Sequence, residues 1–233
     1  MIQIKTLASG SKGNAYHIDD GHTQILLECG IPFKDIRKAL EFNTSNLAGC
    51  LITHEHKDHC GGLNDVLRAG INTYMSPGTK EAIGIEHHRI NTVQAKKQFS
   101  IGTWNILPFD VQHDVSEPYG FLLQNNAGEK LLFATDTYYI RYKFKGLTHL
   151  LIECNYSAEI LNQNIIEGIT PKVMKKRLIR SHFSLENVKE FLKANDLSKV
   201  QEIHLLHLSD SNSDEALFKR EIQELTGKVV YIA

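Results

Sequence analysis

The stretch "LITHEHKDHCGG" (residues 51–62) sets His54, His56, Asp58 and His59 within six positions, directly after an apolar run and directly before two glycines. Histidine and carboxylate side chains are ligands for zinc, manganese and iron. Side chains alternate along an extended strand end, so His54 and His56, two apart, point the same way and can grip one ion. Asp58 and His59, in the turn that follows, can face a second. A solvated polar loop would account for the polarity of the stretch but not for this choice of ligand types.

A two-metal site needs further ligands, and other strand ends supply them. His113 closes the run "FSIGTWNILPFDVQH" (99–113), Asp136 closes "KLLFATD" (130–136), and His207 stands in "IHLLHLS" (203–209). Each follows apolar residues, where the edge of a sheet would present it. Asp136 is suited to a bridging position because a carboxylate has two oxygens.

The surrounding pattern supplies the sheets. "IQIKTLAS" (2–9) reads as a strand, and "AYHIDDGHTQILLECG" (15–30) as a hairpin around Asp20 and Gly21. "PFKDIRKALEF" (32–42) is a helix opened by Pro32, "LAGCLITHEH" (47–56) a buried strand, and "GGLNDVLRAG" (61–70) a helix closed by Gly70. "INTYMSP" (71–77) is a strand and "GTKEAIGI" (78–85) a helix. Residues 99–113 and 119–137 read as hairpins, and "LTHLLIECN" (147–155) as a buried strand. Residues 157–166 and 171–180 suggest helices. "SLENVKEFLKAND" (184–196) is an amphipathic helix with Ser184 as N-cap. "VQEIHLLHLS" (200–209) is a strand, "DEALFKREIQELTG" (214–227) a helix stopped by Gly227, and "KVVYIA" (228–233) a last strand. With no linker or low-complexity tract, one α/β domain over residues 1–233, two sheets with helices outside, fits this order.

Composition narrows the function classes. A formal net charge of −1 creates no global field toward nucleic acid or an anionic membrane, so either contact would need a local patch. No apolar run approaches the ~20 residues that span a bilayer, and "MIQIKTLASGSKG" lacks the form of a signal peptide. Cys29, Cys50, Cys60 and Cys154 show no paired spacing and read as free thiols of a cytoplasmic protein.

Three polar stretches keep two readings each. On a helix, Lys172, Lys176 and Arg180 of "PKVMKKRLIR" share a face, either a track for a phosphate backbone or a solvated surface. "YYIRYKFKG" (138–146) interleaves Tyr139, Tyr142 and Phe144 with Arg141, Lys143 and Lys145, which suits base contact or a half-buried edge strand. "SGSKGN" (9–14) is an anion-binding turn, with Ser11 and Asn14 as candidates, or only a glycine-rich turn.

Together these residues resemble the metallo-β-lactamase superfamily. Its H-x-H-x-D-H signature is met by His54, His56, Asp58 and His59, and its later ligands align with His113, Asp136 and His207, in the family's order over nearly the whole chain. The resemblance implies a single-domain αββα sandwich with two divalent metal ions (zinc or manganese, with iron also compatible) at one edge of the sheets. It implies His54, His56 and His113 on one ion, Asp58, His59 and His207 on the other, and Asp136 between them. Such a pair can hold a hydroxide that attacks a scissile bond, with Asp58 orienting it. Glu28 in "ILLECG" stands where the family has the aspartate of Asp-x-Gly.

Within the superfamily, "LASGSKGN", "LLIECNYSAEIL", "KKRLIRSHFSLENV" and "HLSDSN" resemble the YycJ/VicX (WalJ) branch, which implies a cytoplasmic 5′-to-3′ DNA exonuclease. The same region is similar to the ribonuclease Z arrangement, which implies that His182 contacts the phosphate or protonates the leaving oxygen and that Glu153 holds it. Tyr156 stands where the YycJ-like pattern has histidine. The stretch between Asp136 and His207 is too short for a β-CASP insertion of the ribonuclease J type. The expectation is therefore a metal-dependent phosphodiesterase with a nucleic-acid partner, DNA ahead of RNA, and no membrane. The alternatives are a small-molecule hydrolase (of a thioester, lactone, lactam or cyclic phosphodiester) and a ribonuclease Z-like RNA endonuclease.

Overall fold

Strands buried on both faces read as continuous apolar runs, and they are parallel strands far more often than antiparallel ones. The buried runs at 47–51, 149–153 and 202–206 pair parallel on both sides, and that at 24–27 pairs parallel on one side and antiparallel on the other. The computed structural model describes residues 1–233. Backbone packing divides them into two compact units, Met1–Asp110 with Val115–Glu129, and Val111–Asp114 with Lys130–Ala233.

In the first unit β1 (Gln3–Ala8), β2 (Ala15–Asp19) and β3 (Gln24–Leu27) pair antiparallel. From β3 onward the pairing turns parallel, through β4 (Leu47–Leu51), β5 (Thr73–Met75) and β6 (Ile90–Thr92). Helices α1 (Phe33–Ala39), α2 (Lys57–Cys60), α3 (Leu63–Arg68) and α4 (Pro77–Ile83) connect these strands. α3 buries Leu63, Val66 and Leu67, the i, i+3, i+4 stripe of an amphipathic helix, in one cluster with Ile36, Leu26, Cys50, Ile52 and Met75. The unit also holds an antiparallel set, β7 (Phe99–Ile101), β8 (Trp104–Asp110) and β9 (Tyr119–Gln124). The buried Trp104 ring donates its Nε1–H to Thr23 O at 3.0 Å, so a large side chain is enclosed without an orphaned donor.

The second unit is built on four parallel strands, β10 (Lys130–Ala134), β11 (His149–Glu153), β12 (Glu202–Leu206) and β13 (Val229–Ile232). Its helices are α5 (Ala158–Ile166), α6 (Lys172–Ser181), α7 (Leu185–Lys193) and α8 (Glu215–Thr226). α7 starts where Ser184 Oγ accepts the Asn187 amide at 3.2 Å, and it buries Leu185, Val188, Phe191 and Leu192. α6 is different: Val173, Met174 and Ile179 are exposed alongside its lysines and arginines, and Ser181 is its one buried residue.

Three local readings of the sequence change. The turn after His56 is one turn of helix, α2, too short to show a helical period. β6, three residues behind a polar stretch, carries no alternation that marks a strand. Residues 138–146 form no strand at all. Their buried anchors, Ile140 and Phe144, are four apart, and the Phe144 amide donates to Asn195 Oδ1 at 2.7 Å instead of to a neighbouring strand.

The end of β3 docks tightly against the turn at Asp58. Asn14 N donates to Asp58 O at 2.7 Å, Gly30 N to Asn14 O at 2.8 Å, and Cys29 N to His59 O at 2.8 Å. A Cβ on Gly30 would collide with the Asp58 carbonyl, backbone that has no room to yield. Gly30→Ala is expected to destabilise the protein by about 3 kcal/mol, the upper range for overpacking, read as a lower midpoint in urea denaturation. An unshifted midpoint would show that the loop can retreat.

Candidate metal centre

Ligand sites of open α/β sheets lie outside the carboxyl ends of parallel strands. Each unit places its candidate residues there.

In the first unit Glu28 follows β3, and Thr53, His54 and His56 follow β4. Glu28 is wholly buried and accepts the Thr53 amide at Oε1, 3.2 Å. The same oxygen lies 3.7 Å from His59 Nδ1. Burial raises the Glu28 pKa, against the opposing pull of His59 and Thr53. This orientation turns His59 Nε2 the other way, to 3.5 Å from Asp58 Oδ2 and 3.3 Å from Asn14 Nδ2. Thr53 Oγ1 meets His54 Nδ1 at 2.9 Å, and His54 Nε2 lies 3.1 Å from His56 Nδ1. With metal–nitrogen bonds of about 2.0–2.1 Å, two ring nitrogens at that separation can share one ion.

In the second unit the residues come from β10, β11 and β12, from the segment at 113 and from the end of α6. The His113 ring points Nδ1 at Ser181 O, 3.1 Å away. A carbonyl only accepts, so Nδ1 carries the proton and Nε2 keeps its lone pair, 3.8 Å from Asp136 Oδ2. Burial lowers the His113 pKa, with Asp136 and Glu153 opposing, which favours the neutral imidazole that a metal requires. Ser181 is held by Asp114, whose Oδ1 accepts its hydroxyl at 2.8 Å.

Glu153 lies at the centre of this group. Oε2 accepts the amides of Thr137 (2.9 Å) and Phe183 (3.1 Å). Oε1 meets His182 Nδ1 at 2.6 Å and His207 Nδ1 at 3.2 Å. Burial works against its ionisation, but the charge and hydrogen bond of His182, with the bond to His207, outweigh it and lower the Glu153 pKa. Burial likewise opposes charge on His182, yet Glu153 overrides it and raises that pKa to about 9. His207 Nδ1 also lies 3.3 Å from Asp136 Oδ1, and Asn155 Nδ2 donates to His207 O at 2.7 Å. Asp136, Glu153, His182 and His207 offer ligand atoms within 4.8 Å of one another. With both Glu153 oxygens occupied by four donors, its chemistry here is bracing rather than ligation.

The donor chemistry suits a divalent ion: imidazoles, that of His113 with its tautomer fixed by the Ser181 carbonyl, carboxylates beside them, and further carboxylates behind the rings. Asn14 is among the buried braces, while Ser11 stays exposed. Tyr156 is buried, its hydroxyl pKa pushed to about 12 by burial. Thr53 and Ser181 carry no signal in the sequence beyond adjacency to a candidate ligand or to His182, and Asn155 carries none beyond standing two residues after Glu153. Glu28, Asp136 and His207 adopt left-handed backbone with φ of 62°, 46° and 53°. Such angles are uncommon away from glycine, and Glu41, Phe42 and Lys96, outside this group, are the other non-glycine residues that adopt them.

A family model described as "Beta-lactamase superfamily domain" matches residues 23–207. Exodeoxyribonuclease YycJ of Bacillus anthracis is 27% identical over 242 residues, covering 96% of this chain and 89% of that protein. Exodeoxyribonuclease WalJ of Streptococcus pneumoniae serotype 2 is 28% identical over 235 residues, covering 93% and 85%. The crystal structure of the metallo-β-lactamase fold protein YhfI from Bacillus subtilis superposes with a TM-score of 0.73 at 15% identity, over 100% of this chain and 97% of that one. The fold is thus the one expected from the residues.

Glu28→Gln keeps an acceptor for Thr53 but withdraws the carboxylate from His59. It is expected to weaken zinc or manganese binding by roughly 10–100-fold, the usual effect of losing a residue behind a ligand, as read by isothermal titration. Unchanged affinity would remove Glu28 from the metal's support.

Proposed function

Because the chain belongs to the metallo-β-lactamase superfamily, we propose that it is a dinuclear metal-dependent phosphodiesterase that degrades DNA from the 5′ end. The observation that carries this reading is the 2.6 Å hydrogen bond between Glu153 and His182, beside Asp136 and His207. It favours a protonated imidazole on His182, which could supply the proton that a phosphodiester's leaving oxygen needs. The likeness to two exodeoxyribonucleases supports DNA as the polymer and its end as the point of attack.

His54, His56 and His113 would hold one ion, Asp58, His59 and His207 the other, with Asp136 shared. Ions bound there would supply an acidified water and neutralise charge on the phosphoryl oxygens. The chain's own groups do the rest. Asp58, with its side chain 26% exposed, orients the attacking water. Glu153 takes His182 Nδ1, so Nε2 presents its proton outward to the leaving oxygen. Exposed Lys172, Lys176 and Arg180 on α6 offer a track for the phosphate backbone. The four cysteines are free thiols, in keeping with a reducing cytoplasm, and no helix is long and apolar enough to cross a membrane.

The direct test is cleavage of end-labelled double-stranded DNA, single-stranded DNA and a structured RNA with manganese or zinc, beside His59→Ala. Stepwise loss from the 5′ end of DNA, absent in the variant, is expected. Turnover of only a small thioester or cyclic phosphodiester would assign the protein to small-molecule hydrolysis instead. His182→Ala should lower kcat by about 10²–10⁴, the usual contribution of a positioned acid, while metal binding is retained.

The pH profile gives an independent reading. An acid with a pKa raised to about 9 is protonated below that pH and loses its proton above it, so kcat falls on the alkaline side. Glu153→Gln removes the carboxylate that raises the His182 pKa, and the alkaline limb should move to lower pH. A limb that stays in place in that variant would exclude His182 as the acid.

A further inference from the structure

A cavity of about 300 Å³ opens in the second unit between the irregular segment 139–143 and α7. Its lining includes Tyr139, Tyr142 and Phe183, with Asn187, Arg141 and Lys143. We propose that this cavity is a nucleobase subsite, which receives one unpaired base of a polynucleotide next to the scissile phosphate. The inference rests on the phosphodiesterase reading and adds to it that the end being degraded is single-stranded or frayed.

Four observations converge on it. The first is shape: 300 Å³ is at the small end of ligand pockets, roomy for one heteroaromatic ring system and too small for a helix or strand of another protein. The second is the lining. Aromatic side chains stack on any base, because every base has a π-face. The Asn187 side-chain amide, 3.4 Å from Tyr138 O, stands at the wall where a base edge would be met.

The third is charge. Arg141 and Lys143 are exposed and match the phosphates on either side of a bound base. Glu190, the acidic residue among the lining groups, is paired with Lys193 at 2.8 Å. The fourth is connection to the chemistry. Thr137 N and Phe183 N both donate to Glu153 Oε2, and Thr137 Oγ1 bonds both the amide (3.3 Å) and the carbonyl (3.0 Å) of Tyr139. Both walls of the cavity are therefore fastened to the carboxylate that holds His182. This placement also accounts for the alternation of aromatic and basic residues in a segment that pairs with no strand.

The test uses the full chain with manganese and a phosphorothioate-linked single strand that resists cleavage, carrying one abasic residue walked along its length. Affinity is read by fluorescence anisotropy. In the wild type one abasic position near the 5′ end should weaken binding by roughly tenfold or more, the loss of a single base stack. Tyr139→Ala should lose the same factor on the intact strand and show no further loss with the abasic one. Tyr139, 57% exposed, can be replaced without disturbing the core, and Tyr139→Phe should restore wild-type behaviour.

Equal binding of all abasic strands by the wild type would overturn the subsite, as would a Tyr139→Ala protein that still senses the missing base, or no binding of the strand at all. Cleavage of the unmodified strand is measured in parallel. Cleavage without base sensitivity would remove the subsite and leave the phosphodiesterase. Base-sensitive binding without cleavage would uphold base recognition by the cavity and remove the phosphodiesterase, and with it the placement beside a scissile phosphate.

Discussion

A buried carboxylate is costly unless its oxygens are fully supplied with donors. At Glu153 that requirement fixes the position of everything around it. Its two oxygens draw in the Thr137 and Phe183 amides and the His182 and His207 rings, four donors from three separate segments of the second unit. Asp136 precedes Thr137, and His182 precedes Phe183, so satisfying the carboxylate also positions the groups that would do chemistry. Glu28 plays the matching part in the first unit, where it takes the Thr53 amide and faces His59. Both acids stand at the carboxyl end of a buried strand, each directly after three apolar residues. They differ in charge balance. Glu153 faces two imidazoles, which lower its pKa, while Glu28 faces one and burial prevails.

The ligand motif was legible because its information is local: four side chains of ligand type inside one short stretch need no knowledge of the rest of the fold. Buried strands were legible for a similar reason, since an apolar run such as "LLI" in β11 has few other uses. Helix ends were marked by single residues, Ser184 as an N-cap and Gly227 at φ 65° as a stop. Glu153 was legible as the partner of His182 through the resemblance to ribonuclease Z, but the more distant supports were not. Asn14 braces the Asp58 carbonyl from 44 positions away, and Asp114 holds Ser181 across 67. An asparagine in a glycine-rich turn, or an aspartate beside a histidine, announces nothing until the chain has folded.

The segment 138–146 shows how a correct observation about sequence can be given the wrong structure. Alternating aromatic and basic residues suggested a strand, since period two is the strand's period. Two buried anchors four residues apart, with a side-chain acceptor for the Phe144 amide, replace the ladder. The alternation serves a cavity wall and its charged rim instead of two sheet faces.

Glu28, Asp136 and His207 share one further property, a left-handed backbone at a side chain that is not glycine. Glycine would relax each of these positions. Natural sequences are shaped by more than stability, but a laboratory selection is not. A library of this protein sorted only for heat resistance would therefore meet two opposed effects at these three positions: glycine relieves the backbone, but it removes a buried side chain together with its hydrogen bonds. Were these side chains also the ligands and supports of the proposed metal centre, heat resistance could not serve as a surrogate screen for activity.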